Sequence, residues 1–267
     1  MRCLALVLLL AFATVSVGWA QPVRTYEEPG LARFADWFYK DAGALVRLTK
    51  PRTALYVAGA AGATLALAQA DDGVNPWLAE RNTGTFKDIL EVADYAGGPN
   101  VNFVVLGLAG TSLLTKDRRF QDAAMTSLQT LVYAGLVGYG LKGILGRLRP
   151  SQTDDPYAFF ETTGRNPFSD AGNSSYPSGH AIAAFGIVTP WVFYYPGPLT
   201  YALYAIPVGT SLSRLAIDKH WMTDIVAGAA IGILMGRYLA LRHQGQATRH
   251  NVDVAIGPGQ AGLTYRF

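Results

Sequence analysis

The chain has 267 residues, 50% of them hydrophobic and 15% charged, with a formal net charge of +3. Such an apolar composition excludes intrinsic disorder and raises the expectation of membrane contact. The small net charge, carried by scattered rather than clustered basic residues, excludes a nucleic-acid partner.

Arg2 precedes an apolar run from Leu4 to Val17, and Gly18-Trp19-Ala20 follows before Gln21. A charged start, an apolar stretch and a small-x-small ending read as a signal peptide over residues 1–20, cleaved after Ala20. The alternative is an uncleaved membrane helix, for which the run is short, since a span takes about 20 apolar residues. Cys3, the only cysteine, lies inside this segment. The mature chain would then carry no thiol for a disulfide, for catalysis or for zinc.

Residues 21–50 form an N-terminal segment in which Phe34, Trp37, Phe38 and Leu45 predict an amphipathic helix. Apolar segments follow at roughly Thr53–Ala70, Val101–Leu114, Ala123–Leu141, Ala181–Tyr195, Leu199–Leu212 and Thr223–Leu241. Their boundaries are Asp71-Asp72-Gly73, Gly97-Gly98-Pro99, Lys116 to Arg119 and Pro196-Gly197-Pro198. Period-2 alternation is absent, so the prediction is an all-α bundle of about six core helices in one domain over residues 51–242. Gly228, Gly232 and Gly236, four residues apart, predict a close helix–helix approach.

These segments carry two readings of location. Val101–Leu114 is short for a span, and a mean hydropathy of +0.18 is modest for six spans. Three spans after a cleaved signal would leave residues 142–180 in the cytoplasm. A periplasmic active site therefore requires either no spanning or an early segment lying in the interface. The Lys116–Arg119 cluster favours the cytoplasm. An inner-membrane protein with a periplasmic active site is the reading carried forward, with a soluble periplasmic protein beside it. Residues 243–267 change character. Val252, Val254 and Ile256, then Gly257-Pro258-Gly259, then Leu263, Tyr265 and Phe267 predict a short C-terminal β-hairpin.

Three clusters stand at segment ends: Lys142 with Arg147 and Arg149-Pro150, then Pro177-Ser178-Gly179-His180, then Ser213-Arg214, His220, Trp221 and Asp224. Each alone has an ordinary structural reading. Cations suit a helix's last turn, Ser178-Gly179 suits a turn and N-cap, and His220 and Asp224 suit a structural pair one turn apart. Together they make a phosphoryl-transfer set. Cations meet the phosphate oxygens, a neutral imidazole on His220 is a nucleophile, and Asp224 fixes its tautomer. His180 is then the acid for the leaving group, and backbone amides at Ser178 and Gly179 add donors.

The pattern K-x6-R-P (Lys142, Arg149, Pro150), P-S-G-H (Pro177 to His180) and S-R-x5-H-x3-D (Ser213, Arg214, His220, Asp224) resembles the three-part signature of the type 2 phosphatidic acid phosphatase (PAP2) superfamily. That superfamily includes bacterial non-specific acid phosphatases and vanadium haloperoxidases. The match spans residues 142–224, and the surrounding helices look similar from about residue 50 to 241. The resemblance implies a helical bundle with its site at one end and a phosphatase working through a phosphohistidine on His220. Asp224 would orient His220, and His180 would protonate the leaving group and later activate water. Lys142, Arg149 and Arg214 would bind the phosphate oxygens, assisted by Ser178 and Gly179. The cations would stand where other phosphatases use metals, so neither metal nor cofactor is expected. The four histidines, His180, His220, His243 and His250, also lack zinc-site spacing.

The implied substrate is a lipid phosphate, of the phosphatidic acid or undecaprenyl pyrophosphate type, if the helices span, and a small phosphomonoester if they do not. A vanadate-dependent haloperoxidase and a non-catalytic lipid-binding envelope protein are the remaining readings. The stretch Ser151–Tyr176, with Tyr157, Phe159, Phe160 and Phe168, either lines the pocket or is a surface loop. None of these motifs encodes the oligomeric state.

Overall fold

The computed structural model describes residues 31–46, 64, 68, 71–98, 100–162, 173–244, 252–257 and 260–265. The helices are α1 (Ala32–Val46), α2 (Asp71–Arg81), α3 (Gly84–Gly97), α4 (Asn100–Ser112), α5 (Arg118–Leu145), α6 (Gly179–Tyr194), α7 (Pro198–Ala202), α8 (Ala205–Ala216) and α9 (Met222–His243). Strands β1 (Val252–Gly257) and β2 (Gln260–Tyr265) pair antiparallel, Val252 opposite Tyr265, which is the hairpin expected of the tail. The signal segment, Phe168 and the apolar run 53–70, apart from residues 64 and 68, lie outside the described residues.

The helix ends follow local chemistry. The Asp117 carboxylate caps α5 by accepting from the Phe120 N–H at 3.1 Å. Gly146 closes it in the left-handed region (φ 46°), its N–H donating to the Lys142 carbonyl at 3.1 Å. Arg118 and Arg119 therefore lie in the first turn of α5 rather than in a loop. Arg119 is tied to the end of α6, its Nε donating to the Tyr194 carbonyl at 2.6 Å.

Two expectations change. Asp71-Asp72-Gly73, read as a boundary, is the first turn of α2. Its inward face is mostly polar, with Asp71 and Asn75 buried among hydrogen-bond partners and Leu78 the one buried apolar side chain beside them among the described residues, so apolar periodicity passes over it. The segment Leu199–Leu212 is two helices, because Pro207 has no N–H to carry the ladder through Leu203 and Tyr204.

The glycine stripe joins α9 to α6. A Cβ on Gly228 would lie 2.5 Å from the Ser178 carbonyl, and one on Gly232 2.6 Å from the Ile182 carbonyl. Such contacts leave room for hydrogen only. The two helices therefore touch backbone to backbone, and their N-terminal ends lie side by side. Phe185, Leu215, Met222, Ile225, Ala229 and Ile233 fill the space between α6, α8 and α9, with Leu78 of α2 and Leu90 of α3 closing the cluster. At the opposite end of α9, buried Asp41 of α1 accepts from Gln129 and pairs with His243, each at 2.9 Å. Among the described residues α9 is the one helix long and apolar enough to cross a membrane, and half of it is buried.

Candidate active site

Every predicted site residue stands at a helix end or in the loop beside one. Lys142 is in the last turn of α5 and Arg149 in the loop after it. Ser178 caps α6, Gly179 and His180 begin it, Arg214 is in the last turn of α8, and Asp224 is in the first turn of α9. His220 sits in the loop between α8 and α9, 2% exposed.

Hydrogen bonds between the three clusters bring them to one place. The Ser178 N–H donates to the Asp224 carbonyl at 3.0 Å, and the Ser175 N–H to the Arg147 carbonyl at 2.8 Å. Arg149 donates to the Lys219 carbonyl at 2.8 Å, Trp221 Nε1 to the Leu148 carbonyl at 2.9 Å, and Lys142 Nζ to the Ser174 carbonyl at 2.5 Å. A Cβ on Gly179 would meet nothing within 4 Å, so the backbone there has open space in front of it.

His220 Nδ1 faces Asp224 Oδ2 at 3.4 Å, within ion-pair reach but longer than a made hydrogen bond. That oxygen also accepts from the Trp221 N–H at 2.8 Å. Burial pushes the His220 imidazole down to about 4; Asp224 opposes the shift, while Lys142 and Arg149 add to it. Burial likewise pushes His180 down to about 4, with Arg214, Arg149 and Lys142 adding to it and Asp94 opposing. Lys142 falls to about 8, chiefly by burial and then through its neighbour Arg149, against the pull of Asp224. Burial and the Arg214 charge also lower Arg149, with Asp224 opposing. Near neutrality the site thus holds neutral imidazoles among cations, a field that attracts a phosphate dianion.

The site also contains residues that the motifs do not name. Asp94 of α3 receives the Arg214 guanidinium at 3.0 Å. Arg147, lying between the two motif cations in sequence, is fully buried and bonded to both Asp71 and Asp224. Asp71 accepts from the Thr223 N–H at 3.0 Å and from its hydroxyl at 2.6 Å. The one local signal for this set is Asp71 and Asn75, one helical turn apart. In the 151–162 stretch, Phe159 lies over the Arg147 guanidinium at 4.8 Å and against Tyr176, while Tyr157 and Phe160 are exposed.

Residues 123–247 match the model of the PAP2 superfamily. The chain is 31% identical over 133 residues to a lipid A 1-phosphatase of Rhizobium etli, covering 47% of this chain and 55% of that one. It is 34% identical over 113 residues to a lipid A 1-phosphatase of Porphyromonas gingivalis, covering 41% of this chain and 21% of that one. It therefore spans about half the length of the rhizobial relative and about a fifth of the other. In fold it is similar to a transmembrane PAP2 type phosphatidylglycerolphosphate phosphatase of Bacillus subtilis. The TM-score is 0.50 at 15% identity, over 82% of this chain and 97% of that one. A match that begins in α5 and runs past the end of α9 takes in all three clusters, and over these residues the chain is similar to the PAP2 superfamily.

Proposed function

We propose that the protein is a membrane-associated phosphatase of the cell envelope that hydrolyses a lipid phosphomonoester through a phosphohistidine on His220. The observation that carries this reading is the meeting of a neutral, buried imidazole, backed by a carboxylate, with Lys142, Arg149 and Arg214. With Asp224 at Nδ1, the proton stays there and the Nε2 lone pair is left for attack. Nε2 bonds to phosphorus as the ester P–O bond breaks, and the electron pair leaves on the alkoxide. His180 gives that alkoxide its proton. Water then attacks the phosphohistidine, His180 takes the water's proton, the N–P bond breaks, and inorganic phosphate leaves.

His180 holds little proton at neutral pH in the empty site. A bound phosphate dianion offsets the field of Arg214, Arg149 and Lys142 that depresses it, and so raises its pKa toward the working range. The proton is thus acquired with the substrate. The three cations and the open backbone at Gly179 bind the non-bridging oxygens, where charge accumulates in the transition state.

The choice of a lipid rests on the relatives, which are lipid A 1-phosphatases, and on the outer faces of α4 and α5. There Phe103, Leu106, Leu136 and Ile144 are more than half exposed, a surface suited to acyl chains. The test is phosphate release by detergent-purified protein in EDTA, with a lipid A 1-phosphate, a long-chain phosphatidate and para-nitrophenyl phosphate in parallel. Activity surviving EDTA and favouring a lipid supports the proposal. Preference for the aryl phosphate would point to a soluble non-specific acid phosphatase instead, and no release from any of the three would overturn the phosphatase reading.

A further inference from the structure

We infer that Asp71 of α2 is a positioning residue for the reaction proposed above, holding Asp224, and through it His220, by way of Arg147 and Thr223. The inference rests on that reading for its catalytic consequence and on geometry for everything else. Arg147 makes five hydrogen bonds, which uses its full complement of donors. Nε donates to the Pro156 carbonyl at 3.0 Å, and one terminal nitrogen donates to Thr223 Oγ1 at 2.7 Å and to Asp224 Oδ1 at 2.6 Å. The other donates to Asp71 Oδ2 at 2.7 Å and to the Pro156 carbonyl at 2.5 Å. Phe159 and Trp221 lie over its faces at 4.8 and 5.1 Å. The guanidinium therefore has a single placement, and that placement fixes one oxygen of Asp224 while the Trp221 N–H and His220 share the other.

Asp71 sets the far side of this bridge. It receives Arg147 and both the amide and hydroxyl of Thr223, the residue just before Asp224. One turn along α2, Asn75 Nδ2 donates to the carbonyls of His220 at 3.0 Å and Leu215 at 3.2 Å. The polar face of α2 thus grips the chain on both sides of the nucleophile. A purely stabilising role is a poor account of the set. Arg147, Asp71, Thr223 and Asp224 are all at most 1% exposed, and burying such charges costs about as much as their pairing returns.

The experiment is a double-mutant cycle on the purified full chain, reading kcat and KM on one phosphomonoester for wild type, Asp71→Asn, Asp224→Asn and the double variant. All three bonds at Asp71 are accepted by it, and Asn offers one acceptor and turns an NH2 toward the guanidinium. Asp71→Asn should lower kcat about tenfold to a hundredfold, as a small misplacement of the nucleophile does, with KM little changed. On the Asp224→Asn background the same substitution should change kcat by less than about twofold. Thr223→Val, which removes the hydroxyl bridge, repeats the cycle should Asp71→Asn not fold. Multiplicative losses in the cycle, or full activity in the single variants, would overturn the inference. The 15N shifts of the His220 ring, identified by their loss in His220→Gln, give a readout independent of turnover. Wild type should carry its proton on Nδ1 and Asp71→Asn should give mixed tautomers, and an unchanged tautomer would also overturn it. A wild type that releases no phosphate would sink the phosphatase reading, while the ring shifts still decide the positioning role.

Discussion

Arg214 donates to both carboxylate oxygens of Asp94, at 3.0 and 3.3 Å. One of the three cations assigned to phosphate thus already has an anionic partner, and that partner also supports the proton on His180. Asp94 competes with the ligand for one group and assists the acid with its charge. In Asp94→Asn, inorganic phosphate should inhibit about threefold to tenfold more tightly, the worth of a partly exposed charged hydrogen bond. kcat should fall, because His180 is harder to protonate. Phosphate inhibition constants and kcat measured side by side check both, and weaker phosphate inhibition would contradict the competition.

His220→Ala should release no phosphate above background. Asp224→Asn should retain a small remainder, roughly two to four orders of magnitude below wild type, because the nucleophile is present but in the wrong tautomer. Rapid quench into base should trap a base-stable, acid-labile phosphoenzyme in wild type and none in His220→Ala. Near-normal turnover without the imidazole would end the phosphohistidine mechanism.

Two groups in the empty site set limits on kcat/KM with pH, beside the proton that His180 takes up with the substrate. His220 must be neutral to attack, so activity rises as pH climbs through about 4. Lys142 must be charged to bind the dianion, so activity falls as pH climbs through about 8. Lys142→Arg keeps its charge above that range and should carry the alkaline limb upward by a unit or more, at some loss of rate from the altered geometry. An alkaline limb that stays in place would show that Lys142 is not the group titrating there.

Gly232→Ala tests the scaffold rather than the chemistry. The new methyl would lie 2.6 Å from the Ile182 carbonyl and 2.8 Å from the Gly186 nitrogen, both backbone atoms of α6. The helices must part, at a cost of about 1–3 kcal/mol, so the melting temperature should drop by several degrees. Activity should fall with it, since the same contact holds Ser178 beside Asp224. Gly179→Ala, with nothing within 4 Å, is the control that should leave stability unchanged.

The sequence by itself determined what short range controls. The apolar segments without period-2 alternation that lie in the described residues became helices, the Pro/Gly-centred tail became a hairpin, and the glycine stripe became the α6–α9 contact. His220 and Asp224 were readable as a pair because they stand only four residues apart, with His220 in the loop just before α9 and Asp224 in its first turn. Arg214, His180 and Lys142 were readable because their motif spacings are local. What only the tertiary structure decided is everything joined across more than one segment. Asp71 and Asp224 are far apart in the chain, and their shared guanidinium on Arg147 exists only once α2 packs beside α9. Asp94 sits in a helix whose exposed Ile89, Val92 and Tyr95 blur its apolar period, and nothing near it in sequence marks its approach to Arg214. Helix α2 itself was passed over because Asp71 and Asn75 make most of the face it buries polar, with Leu78 beside them. A buried polar face is held by partners rather than by the exclusion of water, and a partner elsewhere in the chain leaves no period in the sequence.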